Sequence, residues 1–248
     1  MRCQFTKTNT QNGMEYTESN MNMEEKYFGK KRVLVYPCER VDTPVVYSDD
    51  YSEAGAQVIE KAAELGLPKF HLVTISHISW DQELSPWAHE PIVARNDHFT
   101  GKAGEYMALM EHEILPWAES VLAWKPGKRI LAGYSMAGLF SAYAPFISDR
   151  FNGVVSASGS VWYPDFENYF CKTKFRRKPE AVYFSLGDRE TKVSNPALRV
   201  TEDVMKKLSE NCRNRGVASL YEQNPGNHYT DCVNRVVKGI DWVLRTLN

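Results

Sequence analysis

The stretch Arg129-Ile130-Leu131-Ala132-Gly133-Tyr134-Ser135-Met136-Ala137-Gly138-Leu139 restricts the fold more than any other part of the 248-residue chain. Residues 129–134 read as a short β-rich run, and residues 139–146 as an apolar, helix-capable segment. A strand that turns directly into a helix strains the residue at the turn. It also brings strand and helix so close that only small residues fit two positions away on either side. Gly133 and Ala137 fill those positions, giving Gly-x-Ser-x-Ala-Gly, one methyl group from the usual Gly-x-Ser-x-Gly. The pattern predicts that Ser135 is a nucleophile presented at the end of a sheet strand.

The rest of the chain supplies such a sheet. Strand-like runs at 32–37, 45–47, 70–76, 151–157, 181–186 and 219–222 alternate with helical spacing at 53–65, 104–122, 196–211 and 232–247. Alternation of this kind predicts an α/β fold with a mostly parallel sheet and helices on both faces. No linker or repeat divides it, so one domain is expected over 1–248. Residues 1–30 form a polar N-terminal segment with edge-strand patterns at 13–17 and within 20–31. Pro116 should kink or divide the helix at 104–122. The irregular stretch 77–101 is long enough to suggest a functional loop, and 165–178 reads as a polar, basic excursion on the surface.

A serine hydroxyl needs a base, and the base needs an acid to orient it. On an α/β sheet these follow the serine in the order acid, histidine. Asp188 and Glu190 stand directly after the run 181–186, and His228 lies in Gly226-Asn227-His228-Tyr229 before the last helix. Glu190 is favoured by its place three residues beyond Gly187. Asp188 is the alternative, because aspartate is the commoner residue in the role. An oxyanion would be held by two backbone N–H groups. One is expected from Met136, after the serine, and the other from the loop at 48–50, with Asp49 as the candidate. Trp80, Trp87, Trp162 and Tyr163 come from loops expected to ring the sheet's C-terminal edge, where α/β folds bind ligands. They are candidate substrate-binding residues, with packing of loops onto the core as the other reading.

Composition narrows the remaining classes. The net charge of −1 argues against nucleic acid or an anionic membrane as a partner. No apolar run approaches the ~20 residues of a membrane span, and residues 1–22 lack the apolar region of a signal peptide. A cytoplasmic location is expected. Five cysteines, Cys3, Cys38, Cys171, Cys212 and Cys232, are widely spaced without a Cys-x-x-Cys, which fits reduced thiols. The six histidines are too scattered to suggest a metal site.

Three segments together resemble the putative esterases of the α/β-hydrolase superfamily. They are Gly133-Tyr134-Ser135-Met136-Ala137-Gly138, Ser185-Leu186-Gly187-Asp188-Arg189-Glu190 and Gly226-Asn227-His228. That group includes esterase D, the feruloyl esterases and the enterochelin esterases, and the resemblance spans about residues 30 to 248. It implies an α/β-hydrolase fold and hydrolysis of a small-molecule ester or thioester through an acyl-enzyme, with neither metal nor organic cofactor. It leaves the acyl group and any homo-oligomer open. Two departures stand out: Ala137 replaces the second motif glycine, and the loop at 48–50 lacks a glycine-rich oxyanion sequence. A catalytically silent scaffold that binds a ligand or partner is therefore the alternative, and a serine peptidase shares the same three residues.

Overall fold

The computed structural model describes residues 23–40, 42–50, 52–93, 98–123 and 127–248. Among the described residues ten strands appear in chain order: β1 Glu24–Phe28, β2 Lys31–Tyr36, β3 Val45–Asp49, β4 His71–Ser76, β5 Ala88–His89, β6 Phe99–Thr100, β7 Arg129–Tyr134, β8 Gly153–Ala157, β9 Ala181–Gly187 and β10 Ala218–Asn224. The helices are α1 Gly55–Glu64, α2 Trp80–Glu83, α3 Ala103–Leu109, α4 Leu115–Val121, α5 Met136–Ile147, α6 Phe166–Lys172, α7 Pro196–Arg199, α8 Thr201–Asn214 and α9 Cys232–Leu247.

Eight strands form one sheet in the order β1-β2-β4-β3-β7-β8-β9-β10. β1 and β2 run antiparallel at one edge, β2 is antiparallel to β4, and every later pairing is parallel. The middle strands β7, β8 and β9 are buried almost throughout. Covered on both faces, they read as continuous apolar runs instead of alternating ones. One face packs under α1 and α9, through Val58, Ala62, Val237, Ile240, Val243 and Leu244. The other packs under α3, α5, α6 and α8, through Met107, Phe140, Phe166, Phe170 and Leu208. α5 is enclosed, with every residue from Met136 to Phe146 buried, as expected of a helix that is apolar all round. This is the α/β-hydrolase fold.

Several expectations are refined. The helix at 104–122 is divided, though not by a simple kink. Met110–Ile114 is a π-helical turn between α3 and α4, and the Leu115 N–H donates to the Met110 carbonyl. Pro116 has no N–H to give to the previous turn, and the wider turn accommodates that loss. The stretch 77–101 contains α2 and a two-strand antiparallel ladder of β5 with β6. The supposed surface excursion at 165–178 contributes Phe166 and Phe170 to the core. Of the two edge-strand patterns, β1 matches the one within 20–31, and 13–17 lies outside the described residues.

Candidate active site

β7 delivers the chain to Ser135, which caps α5 at φ 60° and ψ −121°. That left-handed φ is costly for a residue with a side chain. The turn is held from both sides: the Ser135 N–H donates to the Ala157 carbonyl at 3.2 Å, and its carbonyl accepts from Ser160 N–H at 2.9 Å. A Cβ on Gly133 would stand 2.3 Å from the backbone of Ala137, and one on Gly138 would stand 2.7 Å from Gly159 Cα. The small residues of the motif are therefore required by the close approach of strand and helix.

His228 reaches the serine from the loop between β10 and α9. Its Nε2 lies 3.1 Å from Ser135 Oγ, and its Nδ1 lies 2.6 Å from Glu190 Oε2. An ionised carboxylate only accepts, so Nδ1 carries the proton and Nε2 is left to accept from the serine hydroxyl. The loop is pinned where it matters: the Tyr134 hydroxyl donates to the His228 carbonyl at 2.8 Å. The imidazole lies between the rings of Tyr134 and Tyr229, with both centroids 5.3 Å away.

Glu190, and not Asp188, meets the histidine. Its other oxygen accepts from Gly187 N–H at 2.7 Å, Ser158 Oγ at 2.8 Å and Arg235 Nη1 at 2.7 Å. Burial raises the pKa of Glu190, but hydrogen bonds from His228, Gly187 and Ser158 and the charge of His228 outweigh it, leaving the pKa below the ordinary value. Asp188 accepts from the Gly226 N–H at 2.7 Å, so it ties the two loops together and leaves the imidazole alone. Arg235 and Ser158 were not singled out in the sequence. Arginine on an amphipathic helix reads as a solvated residue, and only the packing of α9 shows that this one is buried.

These groups open onto a cleft of about 1210 Å³ that Ser135, Met136, Asp49, Trp80, Trp162 and Tyr229 help to line. Trp87 and Tyr163, expected beside them, are not on its wall. Trp87 packs against Tyr143, Tyr163 and Tyr169, with centroids 6.4, 5.7 and 5.3 Å away, and the Tyr163 hydroxyl donates to the Trp87 carbonyl at 2.6 Å. Edge-to-face partners and a satisfied hydroxyl make this cluster part of the core.

The expectation for Asp49 as an N–H donor is also corrected. Val45 N–H donates to the Lys128 carbonyl at 3.1 Å, on the β7 side, and Asp50 N–H donates to Ile75 at 2.8 Å, on the β4 side. Alternation along β3 turns the Asp49 N–H toward β7, opposite Gly133, where the ladder consumes it. Its carboxyl is buried, with Oδ1 accepting from the Tyr106 hydroxyl at 2.5 Å and Oδ2 without a hydrogen-bond partner. Burial pushes its pKa up to about 7 against the pull of Tyr106, and the Asp50 charge adds to the rise. Burial likewise raises that of Asp50, which accepts from Ser52 N–H at 3.1 Å.

Cys38, Cys171, Cys212 and Cys232 form no disulfide among the described residues. Among the described residues no group of three or more His, Cys, Asp or Glu side chains is arranged to hold a metal ion. Nor is any helix there long and apolar enough to cross a membrane.

A serine in a strained strand-to-helix turn, on a sheet of this order, defines the class as an α/β-hydrolase. The sequence pattern described as Putative esterase matches residues 47–234, and the chain belongs to that family. It is a hydrolase acting on esters. No curated protein matches it by sequence. Among solved structures of similar fold is an IroE-like serine hydrolase from Shewanella oneidensis. It is 17% identical, with TM-score 0.72, covering 91% of this chain and 80% of that one. The siderophore hydrolase EstA from Aspergillus nidulans is 16% identical, with TM-score 0.73, and the coverage is 97% and 100%. The enterobactin and salmochelin hydrolase IroE is 15% identical, with TM-score 0.66 and coverage of 92% and 96%.

Proposed function

We propose that this esterase is a serine hydrolase that cleaves a carboxylic ester or thioester through an acyl-enzyme, with Ser135, His228 and Glu190 as its triad. The observation that carries the reading is the imidazole held between Ser135 Oγ at 3.1 Å and Glu190 Oε2 at 2.6 Å. His228 Nε2 takes the serine proton as Oγ attacks the carbonyl carbon, and the resulting imidazolium faces the Glu190 carboxylate. Collapse of the tetrahedral intermediate passes that proton to the leaving alcohol or thiol. Water, activated by the same nitrogen, then frees the acid and restores the serine.

Met136 opens α5, so its N–H has no carbonyl four residues back and is available to the oxyanion. Two carboxylates beside an oxyanion would oppose its charge. Burial raises the pKa of both Asp49 and Asp50 and so favours their neutral forms, which weakens that opposition. A cleft of about 1210 Å³ exceeds the usual size of a small-molecule site. It suits an ester with a bulky acyl or alcohol part, in keeping with the siderophore hydrolases whose fold it shares.

The test is labelling with a fluorophosphonate probe alongside hydrolysis of p-nitrophenyl acetate. The folded wild-type chain should label and show a burst of p-nitrophenol. Ser135→Ala should do neither, with kcat lowered by several orders of magnitude. A folded wild type that neither labels nor hydrolyses would return the alternative of a silent binding scaffold.

A further inference from the structure

α9 carries one charged side chain into the interior. Arg235 is only 1% exposed, and its two terminal nitrogens make five hydrogen bonds while Nε has none. Nη1 donates to Glu190 Oε1 at 2.7 Å, Ser158 Oγ at 2.9 Å and the Tyr134 hydroxyl at 3.2 Å. Nη2 donates to the carbonyls of Pro225 at 2.9 Å and Asn227 at 3.0 Å. Four of the five contacts reach a segment that presents the triad: Tyr134 precedes the nucleophile, Pro225 and Asn227 precede the histidine, and Glu190 is the acid; the fifth, Ser158, itself donates to Glu190 Oε1. The chain makes room for the group. A Cβ on Gly187 would stand 2.7 Å from Nη2 and 2.3 Å from the Gly226 carbonyl.

We infer that Arg235 is a positioning residue for the triad, a buried counter-ion that fixes the rotamer of Glu190 and locks the three catalytic loops together. The inference rests on the serine-hydrolase reading above. Its logic is geometric. Arg235 engages Oε1 of Glu190 and leaves Oε2 to His228, so the carboxylate is oriented as well as neutralised. A planar fork with several fixed donors can do this, and a lysine ammonium cannot reach all five acceptors. Removing a cation from beside Glu190 leaves the carboxylate's full field on His228, which favours the imidazolium.

The groups facing this pair are few. Tyr134, Tyr229 and Cys232 lie against the His228 loop. Asp188 is bound to Gly226, and Tyr221 feels the charge of Glu190. With these unchanged, loss of Arg235 should move the acid limb of kcat/KM to higher pH.

The experiment compares wild type, Arg235→Lys and Arg235→Met for p-nitrophenyl acetate hydrolysis across pH, with circular dichroism as the check on folding. Labelling of the wild type tests the serine-hydrolase reading independently. Arg235→Met should lower kcat by about ten- to a hundredfold, by analogy with the loss of a partner that orients a metal ligand, and shift the acid limb upward. Arg235→Lys should keep the limb near its wild-type place while still lowering kcat.

A double-mutant cycle guards against Arg235→Met failing to fold. In a Glu190→Gln background Arg235→Lys should cost less than about twofold, because the group it positions is already gone. A folded Arg235→Met with near wild-type kcat, or with reduced kcat and an unmoved limb, would overturn the inference. So would equal losses from Arg235→Lys in both backgrounds.

Discussion

Asp49→Asn should change how the stability of this protein depends on pH. The wild-type carboxyl is 4% exposed, one oxygen is bound to Tyr106 and the other has no partner. Burial raises its pKa from 3.8 to about 7. The unfolded chain releases that proton near 4, whereas the folded chain holds it to about 7. Between these values the native state binds more protons, so stability falls as pH rises, and the loss is complete above pH 7. At 1.36 kcal/mol per pH unit the full effect is at most about 4 kcal/mol.

Asparagine keeps an acceptor for Tyr106 and cannot ionise. Like the protonated acid, it places a donor where Oδ2 stood, so the two proteins should be of similar stability below about pH 4, where the carboxyl is protonated in both states, and the variant should already lead by about 1–2 kcal/mol at pH 5. At pH 8 the variant should be the more stable by up to about 4 kcal/mol. Asp50 has the same sign of shift but is present in both proteins and cancels in the comparison. Glu190, with its lowered pKa, contributes stability that is lost only as the solution is acidified. Urea unfolding of both proteins at several pH values between 4 and 8 measures the difference. Parallel pH dependences would refute the reasoning, because they would mean that the buried carboxyl titrates alike in the folded and unfolded chains.

Two further outcomes follow from the site. Glu190→Gln should lower kcat by orders of magnitude, and Asp188→Ala should act mainly on stability through the lost Gly226 bond. Measuring kcat and Tm for each pair separates the roles, and a reversed pattern would give the acid to Asp188. Gly133→Ala places a methyl 2.3 Å from the Ala137 backbone. It should cost at least roughly 1–3 kcal/mol as overpacking, with loss of probe labelling as the elbow is forced open.

Much of this was legible in the linear chain. The elbow was readable because its constraint is local: a strand, a turn and a helix within eighteen residues, with small residues at fixed offsets. The order Ser135, Glu190, His228 was readable because sheet topology fixes which loops converge. α9 was readable from its apolar stripe. The choice between Asp188 and Glu190 was not settled there. Both sit in one short turn, and which carboxylate faces the histidine depends on where the Gly226 N–H and Arg235 stand.

Trp87 and Tyr163 show the same limit. A loop tryptophan beside a catalytic edge looks the same in sequence whether it lines the cleft, as Trp80 and Trp162 do, or closes an aromatic core. Asp49 was misread because a donor's direction is set by strand alternation between two neighbours, which depends on register. The sequence alone singled out Ser135, His228 and the sheet that carries them, since those follow from short-range spacing and periodicity. Only the tertiary structure decided which carboxylate meets His228, the walls of the cleft and the burial of Arg235. Each of these depends on contacts between segments tens of residues apart, where distance and desolvation, and not residue type, assign the role.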